Sequence, residues 1–215
     1  MFITDRDLLV HEPSLFRDVV WTGQRLCKGV ASVTGTTLTA SALDNDFAAA
    51  SIGAGHVAVV DGIACEVISR DDTDQLTVSR IRPTQLEPAI PVGPITDKPL
   101  WIVTFAPQIR LVHLQLLRLI GAEETGTGAL PGAILESQIT NPGDLASLEA
   151  FGVLAFLLAA AAATAASSSP LAVRAAFYRG LFSQERSRVT VRLDLDGDGV
   201  ADAERRLNAA ALERA

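Results

Sequence analysis

The sequence predicts an α+β protein: a small antiparallel β-sheet or barrel-like domain, then an alanine-rich helical bundle with a late C-terminal strand. Three observations carry this. From about residue 30 to residue 82, short β-prone runs alternate with turn dipeptides. After residue 100 the apolar spacing becomes helical. Between the two lies PTQLEPAIPVGPITDKP, residues 83–99, whose five prolines remove backbone donors and forbid helix. The expected organisation is therefore 1–82 for an N-terminal region with the β-domain, 83–99 for an extended crossover, and 100–215 for a helical domain with a C-terminal strand, acidic loop and short helix.

The 215 residues suffice for one good-sized core or two small ones, and the 48% hydrophobic content is that of a globular chain. Eighteen basic against 25 acidic residues leave a net charge of −7, which argues against a surface built mainly to neutralise phosphates. Cys27 and Cys65 sit among apolar neighbours and read as buried free thiols. The start, MFITDRDLLVHEP, lacks the basic region and apolar core of a secretory signal.

In the β-block, SVTGTTLTA reverses at Gly-Thr, and HVAVVDGIACEVIS places Asp61-Gly62 between two apolar runs, a strong hairpin signal because a type I′ turn needs positive φ at both centres. RDDTD then separates that arm from QLTVSRI. Three or four antiparallel strands follow, and a curled sheet or barrel is expected because a flat one leaves its edges unpaired. LDNDFAAASIGAGHV reads as a turn or short helical piece. Its SIGAGH is no phosphate loop, since it precedes a strand and lacks the required spacing.

PQIRLVHLQLLRLIG, 107–121, starts with proline and ends at glycine, and its apolar residues cover more than one stripe, so contacts on two sides are expected, within a bundle or with another subunit. The glycine-rich segment 122–132 is expected to order on assembly. Asn141-Pro142 and Ser169-Pro170 each look like a helix start, with Asn141 and Ser169 as caps. FGVLAFLLAAAAATAA, 151–166, carries no charge but falls short of the roughly 20 residues of a bilayer span, and reads as a buried helix. SRVTVRLDLD alternates as a strand, with Val189, Val191, Leu193 and Leu195 on one face, and DAERRLNAAALE reads as a terminal helix.

The acidic loop DLDGDGVAD, 194–202, is the one stretch that looks like chemistry. Numbered as a calcium loop, Asp194, Asp196 and Asp198 fall at ligand positions 1, 3 and 5, glycine at 6, the Val200 carbonyl at 7 and Asp202 at 9. Position 12 is Arg205, which cannot ligate, and a strand precedes the loop where that motif has a helix. Two readings stand: a weak Ca²⁺ or other hard-cation site whose role is to pin a turn, or a solvated strand-to-helix turn in which Asp202 caps the last helix. No cofactor is otherwise expected. His11, His56 and His113 lie in different elements and read as ordinary turn, strand-edge or helix-surface residues. The serines at 167–169 form no nucleophile elbow, so the sequence expects no enzyme.

ITDRDLLVHEPSLFRDV, the block GAGHVAVVDGIACEVISRDDTDQLTVSRIR, and the helical half with FYRGLF and its late strand together resemble the head–tail connector (neck adaptor) proteins of tailed bacteriophages and gene transfer agents. The resemblance rests on organisation, not on a diagnostic motif. It implies a virion structural protein at the neck, assembled in the host cytoplasm as an oligomeric ring of its own copies, typically twelve in such adaptors. Its partners would be a portal protein and a tail or stopper protein; packaged DNA would pass without sequence-specific contact, and no membrane would be involved. The β-block and acidic loop depart from the plain helical adaptor. The rival reading is a calcium-stabilised binding module of a non-viral structural or surface protein.

Overall fold

The computed structural model describes residues 1–125, 132–164 and 169–207. Two compact units result: Ile3–Pro107, and Met1–Phe2 with Gln108–Ala215. The expected assembly-ordered segment 122–132 lies outside the described residues from 126 to 131, as do Ser167, Ser168 and residues 208–215.

The first unit opens with two short helices, α1 (Asp5–His11) and α2 (Leu15–Asp18). Strands β1 (Arg25–Thr34), β2 (Thr37–Ser41), β3 (Val57–Val60), β4 (Ile63–Arg70), β5 (Gln75–Ser79) and β6 (Ile95–Val103) follow. They form a closed antiparallel barrel in the order β1-β2-β5-β4-β3-β6. The expected reversals are in place, and the β3–β4 turn has φ of 51° at Asp61 and 77° at Gly62. Six strands stand where three or four were expected. The barrel is closed by β6, which pairs with both β1 and β3 and so leaves no open edge. It draws the end of the proline-rich segment into the barrel, so the units divide after Pro107 rather than at 82–99. Leu38, Phe47, Leu76, Leu100 and Ile102 fill the interior. Full burial contributes roughly 1.5–3 kcal/mol for each large aliphatic side chain.

Glu66 on β4, 1% exposed, joins three parts of this unit. Its carboxylate accepts from Arg6 Nε at 2.8 Å and from Arg82 Nε and backbone N–H at 2.5 and 3.1 Å. A second Arg6 nitrogen donates to the Arg82 carbonyl. Arg82 in turn donates to the carbonyls of Gln85 and Glu87, at 3.1 and 2.5 Å. The base of that loop is closed by the Arg80 amide on the Ile90 carbonyl at 3.0 Å. The crossover is thus tied into a fixed shape, with both arginines buried and paired.

In the second unit, α3 (Ala106–Ile120) is followed by a two-residue parallel pair, β7 (Ala122–Glu123) with β8 (Ile134–Leu135), and a 3₁₀ turn over Glu136–Gln138. Helices α4 (Pro142–Thr164) and α5 (Pro170–Arg188) pack along each other, and β9 (Thr190–Leu193) pairs with β10 (Ala203–Arg206). Ser169 caps α5 as expected, accepting from the Leu171 amide at 3.2 Å. Asn141 spends its side chain otherwise: it accepts from the Arg192 amide at 2.8 Å and donates to the Thr190 carbonyl at 2.9 Å, which fastens the start of α4 to β9. Helix α4 has 23 residues, more than the apolar run suggested, and by length and composition is long and apolar enough to cross a membrane. Half of its apolar window is buried inside the fold. A Cβ at Gly152 would stand 2.9 Å from Val112 and 3.0 Å from Phe182, so glycine is what lets α4 sit this close to α3 and α5.

The expected terminal helix is corrected at its start. Ala203–Arg206 is a strand, with Ala203 opposite Leu193 and Arg206 opposite Thr190. Ala, Glu and Arg are among the better helix formers, but such propensities are small, and pairing with a strand already docked on the core outweighs them.

Candidate functional site

The loop between β9 and β10 closes a hairpin. Gly197 and Gly199, at φ of 84° and 86°, let the chain double back. Asp194 accepts the amides of Gly197 at 2.6 Å and Gly199 at 2.8 Å. Asp202 accepts those of Leu195 and Asp196, at 2.7 and 3.3 Å, so it ties the two ends of the hairpin loop and does not cap a helix. One carboxylate oxygen each from Asp194, Asp196 and Asp202 lies within 4.8 Å of the others. Three carboxylates so placed can hold a metal ion. Asp198 and Val200 belong to the same loop but not to that group: the Asp198 carboxylate accepts the Val200 amide at 2.7 Å.

The backbone donors of Gly199 and Gly197 hold the Asp194 carboxyl below the usual carboxylate range, so the loop is pre-set for negative charge. Oxygen donors of this kind suit a hard cation, which needs six to eight of them for Ca²⁺, the remainder coming from carbonyls and water. Arg205, at the place of the bidentate glutamate, donates instead to the Ile120 carbonyl at 2.6 Å and covers the C-terminal end of α3. Leu195, expected on the same strand face as Val191 and Leu193, is exposed while those two are buried, because the strand has already ended at Leu193.

His113 departs from the helix-surface expectation. It is fully buried, with Nδ1 3.1 Å from Glu149 Oε1 on α4 and Nε2 3.1 Å from Glu136 Oε1 on the 3₁₀ turn. The other Glu149 oxygen accepts the Phe2 amide at 2.8 Å, and the Phe2 ring stands edge-on to the imidazole at 4.8 Å. Burial works against a charged ring, but Glu149 first and Glu136 with it outweigh that, and the imidazole is held charged above its ordinary range. Sequence reasoning missed this cluster because its members lie far apart along the chain. The only available signal is a histidine on a stripe otherwise filled by Ile109, Val112, Leu116 and Ile120.

His56 lies in the turn before β3, its Nδ1 3.0 Å from the Gly53 carbonyl. Cys27 and Cys65 are buried free thiols, as read from the sequence. Burial pushes Cys27 up to about 12 and Cys65 to about 11, away from nucleophilic use.

No protein family, curated protein or solved structure matches the chain.

Proposed function

We propose that the protein is a structural, non-catalytic ring subunit of a phage-type head–tail connector, bridging portal and tail components in the virion neck. The observation that carries this reading is the apolar surface left on the helices. Val173 and Phe177, one turn apart on α5, are 73% and 60% exposed, and Leu111 and Leu119 on α3 are also exposed. Large apolar side chains grouped on helix surfaces mark interaction sites, and a closed ring needs two unlike surfaces on each subunit. The two-sided apolar pattern of α3 supports the same view. The test is native mass spectrometry and sedimentation of the full chain. A closed oligomer that co-purifies with a portal protein is expected; a monomer at every concentration, with no particle-associated form, overturns it.

The convergence of Asp194, Asp196 and Asp202 favours a second reading for the loop, as a Ca²⁺ clasp that pins the β9–β10 hairpin. Without a bidentate glutamate the dissociation constant belongs in the weak class, on the order of 10⁻⁴–10⁻³ M. Stabilisation then grows only as free calcium exceeds that value. Calorimetric titration should give heat and a rise in melting temperature at millimolar calcium, both abolished by Asp196→Asn with Asp202→Asn. No heat and no melting shift in the unmodified protein would leave a solvated hairpin loop.

A further inference from the structure

The crossover loop carries the most exposed large apolar side chain among the described residues: Leu86, 97% exposed. Such a residue on a floppy loop would mean little, but this turn is held from within. The Glu87 amide bonds back to the Thr84 carbonyl at 3.3 Å, and buried Arg82 grips the carbonyls on either side of Leu86. Its base is closed by the Arg80–Ile90 bond and by the Ile90 amide on Ser79 Oγ at 2.8 Å. The result is a preorganised knob, with an exposed carboxylate at Glu87 next to the leucine. Little ordering entropy remains to be lost when it docks.

The helical unit has a groove of about 430 Å³ between α3 and α5. Val112, Leu116, Leu119 and Phe182 make its apolar lining, and Arg118 and Arg186 add two cations to the wall. Leu119 is 46% exposed there. On a chain with a net charge of −7, an apolar groove bordered by arginines selects an apolar residue beside a carboxylate. The Leu86–Glu87 tip has that chemistry.

We propose that the Thr84–Glu87 turn of one copy seats Leu86 in the α3–α5 groove of a second copy, with Glu87 set against Arg118 and Arg186. This rests on the ring reading above. Every copy carries both the knob and the groove, so the contact is between unlike surfaces and propagates head to tail until the ring closes.

The test uses the full-length chain. Leu86→Asp should weaken self-association on the order of 30-fold, as for a central anchor residue, while leaving the melting temperature of the barrel unit unchanged because the side chain touches solvent. Glu87→Arg should also weaken assembly, and adding Arg186→Glu should restore it. Two differently tagged chains, one with Leu86→Cys and the other with Leu119→Cys, should form a mixed disulfide under diamide. If the unmodified protein forms rings but Leu86→Asp forms them equally well, the contact is refuted and the ring reading stands. A ring lost in Leu119→Asp but kept in Leu86→Asp means that another segment fills the groove, which also refutes it. A disulfide formed only when both cysteines are on one chain refutes it too. A wild-type protein that stays monomeric overturns both this contact and the ring.

Discussion

Replacing Glu66 with glutamine removes the one charge that two buried guanidiniums share. In the native barrel the carboxylate accepts three donors, from Arg6 Nε, Arg82 Nε and the Arg82 amide, at 2.8, 2.5 and 3.1 Å. Glutamine keeps the shape but offers one acceptor oxygen and no charge. Among the described residues Arg6 retains Asp7 at 3.1 Å, whereas Arg82 retains only carbonyls. Breaking a buried pair from one side costs about 3–5 kcal/mol, because an uncompensated charge stays in place. For a unit of roughly a hundred residues each kcal/mol moves the melting temperature by about 4 °C or more, so the barrel transition should fall by at least about 12 °C. Circular dichroism melts and urea midpoints read this directly. A loss below about 1 kcal/mol would refute the account of Glu66 as the central tie. Replacing Arg6, Glu66 and Arg82 together by methionine should recover most of the loss, since well-packed apolar groups remove the desolvation cost along with the pair.

Stability of the helical unit should depend on His113. Its folded-state value is raised above the ordinary 6.5, so the contribution is fully present below that pH and is lost as pH rises through the folded value. Urea midpoints should decline as pH rises above that ordinary value, and His113→Gln should flatten that limb; an identical decline in the variant removes the assignment. Gly152→Leu should destabilise by about 1–3 kcal/mol or more through overpacking against Val112 and Phe182, read by the same midpoints. An unchanged midpoint would show that the three helices can separate freely there. Native Cys27 and Cys65 should resist maleimide at neutral pH and react on unfolding; labelling of the folded chain at the rate of a free thiol contradicts their burial.

Much of the fold was legible because the signals are local. Asp61-Gly62 can turn only one way between two apolar runs, Ser169-Pro170 starts a helix by its own chemistry, and the alternation of Val189, Val191 and Leu193 marks a half-buried strand within a few residues. The acidic loop was legible as composition for the same reason. What only tertiary structure decided depends on partners distant in sequence. The Thr96–Pro99 end of β6 is a poor strand by propensity and becomes one because β1 pairs with Lys98 and Pro99, while β3 pairs with the apolar end from Leu100 to Val103. Ala203–Arg206 has helix-forming residues and is a strand because β9 is already anchored beside it. Which three aspartates converge follows from closing that hairpin, not from their spacing. The burial of His113 and the central place of Glu66 arise the same way: a charged group is tolerated inside only where the fold brings its counter-charges to it, and a linear reading carries no record of that meeting.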